Sequence, residues 1–527
     1  MDTAEPSRLN LENISAARAA MIVGVVLLVV YVRSLAPTVT YWDAGEFQSA
    51  IKTLGVPHPP GTPLYVLIGN VWAKIFSPVI SFATSVNLLS AVCTAAACGA
   101  FAWLMMKWTG DPIAAIAGGI LAGVMSSVWL NANETEVYSP SLLVSMLLMV
   151  AAYRADETRE PKYLVLLSYL IGLGWSLQLS SLVAAPAALF LAFRNFRGRR
   201  ITVAPMIAVA LLGASATLFM IVRAQHDPAI NQGNPSTWQS FADVITRKQY
   251  LPVSMLPRQA PWYLQIGNFF EYADWQVALG LNPDPPPSIL RTSFTVLYAM
   301  LGLTGCAWHA RTNRKSWEVM MLLFITATLG VIVYLNMKAS PSYGAGFLPL
   351  NAKHEARERD YFFALGFACW GIWAGAGAVR MIGRVTYRPL GVVLAVLPIV
   401  LNWSAVDRSR FPRSLEPVYH AREILNGAPR NAVVFAHGDN DTYPVWYAQQ
   451  VEHLRPDVVN ITIPLLGATW YRAELDRRYS LVDSEFVAKW YGAPATVGDI
   501  CRRARSAGRP VVLEPGPAMQ SIPPDCQ

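Results

Sequence analysis

Ala19-Ala-Met-Ile-Val-Gly-Val-Val-Leu-Leu-Val-Val-Tyr-Val-Arg-Ser-Leu-Ala36 is an apolar run with one charge near its end, and Thr40-Tyr-Trp-Asp-Ala-Gly-Glu-Phe47 follows almost at once. As a helix the first stretch nearly matches the roughly 30 Å hydrocarbon core of a bilayer. Arg18 before it and Ser34-Leu-Ala36 at its end could pass for a signal peptide with a small-x-small cleavage site. Pro37 directly after that site disfavours cleavage, so residues 19–36 read as a retained first transmembrane helix. The second stretch then lies at a membrane surface. It carries Asp43 and Glu46, and Gly55-Val-Pro-His-Pro-Pro-Gly61 adds the proline-flanked His58. If residues 42–52 are helical, the i, i+3 spacing sets both carboxylates on one face. Such a pair marks a site, although Asp43 as a helix cap within a plain turn is the competing account.

The composition extends the membrane reading to most of the chain. Of 527 residues 54% are apolar and 14% charged, whereas soluble domains carry about 25% charged residues. The net charge of +8 is what basic cytoplasmic loops produce, and no aromatic-rich basic stripe suggests nucleic-acid binding. Further spans are expected at 84–106, 112–130, 139–153, 163–178, 180–194, 202–222, 291–309, 317–336, 361–380 and 389–403, eleven in all with the first. The apolar stretch 64–77, close behind Pro59, Pro60, Gly61 and Pro63, reads as a short interfacial helix. Basic clusters at Arg194, Arg197, Arg199 and Arg200, at Arg311, Arg314 and Lys315, and at Arg380, Arg384 and Arg388 fall on one side of eleven crossings. The positive-inside rule makes that side cytoplasmic. Residues 37–62, 131–138, 223–290, 337–360 and the tail from 404 are then expected outside.

The tail has soluble composition. Ala432-Val-Val-Phe-Ala436, a helix over 443–452, Val458-Val-Asn-Ile-Thr462 and Val511-Val-Leu513 suggest a small α/β domain. The expected division is 1–403 for the membrane domain and 404–527 for the tail. Cys501 and Cys526 lie in that tail and could pair if it is extracytoplasmic, whereas Cys93, Cys98, Cys306 and Cys369 sit in apolar segments as packing residues.

Beyond Asp43 and Glu46, Asn133-Glu-Thr-Glu-Val-Tyr138 puts Glu134 and Glu136 in a short outer loop, where they could share a cavity or a divalent cation with the first pair. A solvated turn competes with that reading. Glu355-Ala-Arg-Glu-Arg-Asp-Tyr-Phe362 is the densest charge cluster beside an apolar run. Its Arg357 and Arg359 are candidates to grip a phosphate, against a baseline of interfacial snorkelling. Arg223, Arg247 and Lys248 are weaker candidates of that type, and Tyr250 and Tyr361 could be interface-belt residues. Asp439-Asn-Asp441 is a short acidic pattern that reads as a turn or Ca²⁺ loop.

Asp43-Ala-Gly-Glu46 followed by His58-Pro-Pro-Gly61 resembles the multipass GT-C-type glycosyltransferases that include the transmembrane O-mannosyltransferases of animals and their bacterial relatives. The likeness continues through Glu136-Val-Tyr138, Thr246-Arg-Lys-Gln-Tyr250, Glu358-Arg-Asp-Tyr-Phe362, Gly438-Asp-Asn-Asp-Thr442 and Arg455-Pro-Asp-Val458. Gly174-Trp-Ser-Leu-Gln-Leu-Ser180 departs from many relatives in lacking histidines. The resemblance implies a polytopic α-helical, GT-C-like membrane protein with a small extracytoplasmic α/β domain, in a bacterial inner membrane. Its implied activity is inverting transfer of a sugar, mannose first in line, from a polyprenyl-phosphate donor to a protein Ser/Thr hydroxyl. Asp43 would be the base, with Glu46 orienting the acceptor, and Arg357, Arg359 and Arg247 would bind the donor phosphate. His58, Glu136, Tyr138, Tyr250, Asp360 and Tyr361 would line the substrate cavity. No cofactor is required by this reading, a divalent cation remaining open. Transfer to a lipid or glycan acceptor, or lipid-linked sugar transport, are the alternatives. Ionisable residues gathered at one surface rather than mid-membrane favour an enzyme over a transporter.

Overall fold

In the computed structural model, residues 14–194, 203–250, 255–344, 348, 352–383 and 390–527 are described. Arg197, Arg199, Arg200, Arg384 and Arg388 of the expected basic clusters lie outside them. The described residues of the eleven apolar segments expected to cross are mainly helical. Among the described residues, seven helices are long and apolar enough to span a membrane. The first is α1 (Ala16–Arg33), capped by Ser15, whose hydroxyl accepts from the Arg18 N–H at 3.3 Å. After it come α2 (Ala44–Thr53), α3 (Pro63–Phe76) and α4 (Phe82–Thr109), a helix that stops at Gly110 in the left-handed region, φ 68°. Then α5 (Pro112–Val124) starts on an Asp111 cap and α6 (Ser126–Ala132) follows it at a 70° bend. The apolar run 112–130 was expected as one span, and the break falls at its one polar pair, Ser126-Ser127. At the bend, the Ser126 N–H turns to the Gln276 carbonyl at 3.0 Å. Next are α7 (Tyr138–Thr158) and α8 (Pro161–Leu177).

The helix Asp360–Ile382 is the buried axis of the bundle, and small residues let its neighbours approach backbone to backbone. A Cβ on Gly375 would stand 2.5 Å from the Ala117 carbonyl carbon of α5, and one on Gly305 of the helix Ile289–Thr312 would stand 1.8 Å from the Trp373 carbonyl. Larger residues at these positions would force the helices apart.

The tail is a three-stranded parallel sheet in the order β2-β1-β3, with β1 Val433–Ala436, β2 Val459–Thr462 and β3 Val511–Val512. Val433 pairs with Val459 on one side and Val511 on the other. Cys501 and Cys526 form a disulfide. Asp439-Asn-Asp441, expected as a turn or Ca²⁺ loop, is instead the first turn of the helix Asp439–Gln450, where acidic residues complement the helix dipole. That helix lies directly on α2: a Cβ on Gly45 would meet the Tyr443 carbonyl at 2.3 Å, so only glycine permits the approach. A second fastening joins Arg477 and Arg478 to Asp227, at 2.9 and 2.6 Å.

The charged groups separate by end. Arg194 donates to the Lys315 carbonyl at 3.0 Å, and Arg380 pairs with Asp111. Those contacts lie at the end of the Asp360–Ile382 helix remote from Asp360, while the loops that carry Asp43, Glu136 and Arg357 gather at the near end with the tail.

Candidate active site

Asn87, buried on α4, ties the loops that build the site. Its amide donates to the Ala36 and Thr38 carbonyls at 2.8 and 3.0 Å, and its oxygen accepts from Thr135 at 2.6 Å and Gln48 at 3.2 Å. The segment after α1 and the one before α7 are thereby held side by side. The end of α2 is closed by Arg223, which donates to the Leu54 and Thr53 carbonyls at 2.8 and 3.1 Å. This residue, weighed from sequence as a phosphate ligand, is spent as a helix cap.

Asp43 stands at the start of α2 yet makes no capping bond with its side chain. It instead accepts from Arg357 Nη2 at 2.8 Å, across 314 residues of sequence. Trp42 before it holds a left-handed backbone, φ 62°, and its N–H donates to the Asn440 side chain of the tail at 2.8 Å. Glu46, one turn on, is fully buried. Its Oε1 accepts from the His58 N–H at 2.7 Å and from Gln232, and its Oε2 faces His58 Nδ1 at 2.5 Å. Burial lowers the His58 pKa, but the Glu46 carboxylate outweighs it and pushes the imidazole up to about 9, so Glu46 and His58 form an ion pair at neutral pH. The shared face expected of Asp43 and Glu46 is therefore divided between two partners. Together the three side chains offer ligand atoms within 4.8 Å of one another, a set able to hold a cation only by exchanging its present partners.

A cavity of about 380 Å³ opens beside Asp43, lined among others by Trp42, Glu134, Glu136, Arg357, Asp360 and Tyr361. That volume falls within the roughly 300–1,000 Å³ of small-molecule sites. Arg357 Nε and Arg359 Nη1 both donate to the Tyr361 hydroxyl at 2.9 Å, which sets the two guanidinium groups side by side. The Tyr361 ring packs at a tilt of 42° against Tyr138, 4.8 Å between centroids. Asp360 accepts from Ser127 at 2.5 Å, and Glu134 pairs with Arg408 at 3.4 Å. Glu136 is buried, and burial first, then the charge of Asp43, raises its carboxyl well above the usual range.

Of the residues expected from sequence, Glu136, Arg357, Asp360 and Tyr361 line this cavity, and Asp43, Tyr138 and Arg359 touch the residues that do. Arg247 does not line it: it reaches Gln178 at 3.4 Å, in the segment where histidines were expected. Tyr250 is half-exposed beside the acidic cluster, its hydroxyl raised by burial and then by Glu46. Gln232 and Asn440 were missed. Asn231-Gln232 lies in the segment 223–290 expected outside, but only the contacts of Val56 with the Ile230 carbonyl at 2.8 Å, and of the Gln232 N–H with the Val56 carbonyl at 2.9 Å, bring it to Glu46.

Two family models match the chain: the N-terminal domain of protein O-mannosyl-transferase TMEM260 over residues 43–202, and TMEM260-associated domain 2 over 418–488. The first begins at Asp43. Protein O-mannosyl-transferase TMEM260 of Mus musculus is 23% identical over 490 residues, 88% of this chain and 65% of the relative. Its Dictyostelium discoideum counterpart is 19% identical over 487 residues, 84% of this chain and 57% of the relative. The chain thus spans less than two thirds of the length of these curated relatives. Among solved structures, ArnT from Cupriavidus metallidurans bound to undecaprenyl phosphate has the same fold, with a TM-score of 0.51 at 11% identity over 87% of this chain and 92% of that one. Its apo form matches with a TM-score of 0.50, also at 11% identity, over 85% of this chain and 90% of that one.

Proposed function

We propose that this chain, which resembles the GT-C-type, O-mannosyltransferase-like family of polytopic membrane proteins in sequence and fold, is an inverting glycosyltransferase. Its donor is a polyprenyl-phosphate-linked sugar, mannose first, and its acceptor a protein Ser/Thr hydroxyl. The ion pair of Asp43 with Arg357, at 2.8 Å on the edge of the cavity, carries this reading: it puts a proton acceptor next to an anion-binding group. Asp43 takes the proton of the acceptor hydroxyl as its oxygen bonds to the anomeric carbon. The bond from that carbon to the donor phosphate breaks from the opposite face, and its electron pair leaves on the phosphate. Arg357 and Arg359, bridged by Tyr361, stabilise the charge that develops there. Glu46, held by His58 and Gln232, fixes α2 and with it the direction of Asp43. Relatives named as protein O-mannosyl-transferases support the sugar and the acceptor, and the undecaprenyl phosphate bound to ArnT supports the donor class.

The reading includes the placement of residues 404–527 as a separate domain outside the cytoplasm of a bacterial inner membrane. A disulfide in the tail suits an oxidising compartment, and the Arg194 and Arg380 end of the bundle suits the cytoplasmic face. The test is Asp43→Asn in the purified, membrane-reconstituted protein, assayed with polyprenyl-phosphate mannose and a Ser/Thr-containing acceptor. Transfer is expected to fall below detection with donor binding retained. Turnover near the wild-type rate would remove Asp43 from the mechanism.

A further inference from the structure

Four carboxyl groups line the cavity: Glu134, Glu136, Glu358 and Asp360. Three accept on at least one carboxyl oxygen, from Arg408 for Glu134, from the Ser342 backbone N–H at 3.1 Å for Glu358, whose Oε2 is enclosed, and from Ser127 for Asp360. Glu136 has no such donor among the described residues. Only 8% of it is exposed, and its Oε2 is enclosed without a hydrogen-bond partner. Its sole hydrogen bond is through the backbone, from its N–H to Ser90 Oγ at 3.5 Å. The Tyr65 hydroxyl near it is likewise buried, beside Ser90. An orphaned oxygen on a residue that lines a cavity points to a polar ligand, because leaving it unpaired costs free energy in the folded protein.

The groups facing Glu136 decide its state. Asp43 of the α2 segment and Glu134 of its own loop disfavour a negative charge, while Arg357 and His58 favour one. Arg357 and His58 are already committed to Asp43 and Glu46. A lone carboxylate in so enclosed a place would be costly, so burial favours the protonated form. A neutral carboxylic acid presents an O–H donor and a C=O acceptor side by side. Vicinal hydroxyl groups of a sugar present the complementary pair.

We propose that Glu136 is a sugar-binding residue that works as an uncharged acid, donating to one hydroxyl and accepting from the adjacent hydroxyl of the donor's sugar ring. The inference rests on the transferase reading above and adds to it the residue that recognises the sugar. Asp43 and Glu136 then divide the two states of a carboxyl between them, Asp43 charged for proton abstraction and Glu136 neutral for recognition.

Glutamine keeps the donor and the acceptor but cannot ionise, so Glu136→Gln separates this role from that of a base or cation ligand. Glu136→Gln is expected to stay within about threefold of wild type, while Glu136→Ala loses about 10- to 100-fold in kcat/KM for the sugar-bearing donor. Binding of sugar-free polyprenyl phosphate should be equal in all three proteins. An infrared difference spectrum, wild type minus Glu136→Gln at neutral pH, should show the carbonyl band of a protonated carboxylic acid. Inactivity of Glu136→Gln equal to that of Glu136→Ala, or a carboxylate band in place of the acid band, would overturn the proposal. Asp43→Asn, run alongside, tells the two failures apart: full activity there sinks the transferase mechanism, whereas its inactivity with an inactive Glu136→Gln sinks only the neutral-acid role.

Discussion

Two arginines near the same end of the bundle serve as a contrast. Arg291 is fully buried and places all five of its N–H donors: on Asp274 at 2.8 Å, and on the carbonyls of Asn282, Asp284, Pro285 and Pro286 at 2.8, 2.6, 3.0 and 2.9 Å. Arg357 donates to Asp43 and to Tyr361, and lines a cavity with the rest of its fork. The first knot ties the 274–291 segment together and leaves nothing for a ligand. The second keeps donors in reserve. For a buried guanidinium, the number of donors already satisfied separates scaffold from site better than burial or ion pairing does, since both arginines have a carboxylate partner.

The sharpest way to break this contrast is to remove each guanidinium. Arg291→Ala strands Asp274 and four carbonyls, and should destabilise the protein by about 3–5 kcal/mol, as the loss of one partner from a buried pair does. The thermal midpoint in detergent and the yield of monodisperse protein read this directly. A midpoint equal to wild type would show that Arg291 is not the knot its contacts describe.

Arg357→Ala should act in the opposite sense, with a small change of midpoint and a transfer rate lower by about 10²–10³-fold, the scale of losing one group that stabilises developing charge. Arg357→Lys should recover only part of that rate, because an ammonium cannot bridge Asp43 and Tyr361 in one plane while also meeting a phosphate. A folded Arg357→Ala protein with unaltered kinetics would leave the reserve donors without a purpose.

The two arginines also differ in how visible they were in the sequence. Arg357 stood in the charged Glu355–Phe362 run beside an apolar span, a context that marks an interfacial cluster. Arg291 was one charge at the start of an expected span and gave no sign of its four carbonyl partners, which come from a proline-rich loop. The apolar segments were legible because length and composition set them; the bend at Met125 was not read, because the Ser126-Ser127 pair breaks the helix only with the distant Gln276 carbonyl there to accept the Ser126 N–H. Asp43 and Glu46 were legible as a pair, but the division of labour between them depends on Arg357 and Gln232, which lie 314 and 186 residues away. Asn440 was quoted inside an acidic turn pattern. Its bond to Trp42 arises from docking of the tail on α2, and no local pattern encodes that. The likeness to a family supplied the roles, and the contacts supplied which residues are free to perform them.

The smallest expected effect concerns Glu46 and His58, which on this reading are scaffold inside the site. His58 in the folded protein titrates at about 9, above the ordinary histidine value of about 6.5. The folded state therefore binds its proton more tightly than the unfolded chain does. The resulting stability is fully present below about pH 6.5 and is lost as pH rises through about 9. His58→Gln should abolish this dependence: its midpoint should lie below wild type at neutral pH and converge with it above about pH 9. Transfer measured at the neutral point should change only a few-fold, since Asp43 and Arg357 remain. A loss on the scale of Asp43→Asn would instead move His58 from the scaffold into the chemistry, and would mean that a guanidinium's unsatisfied donors mark the site without marking its limits.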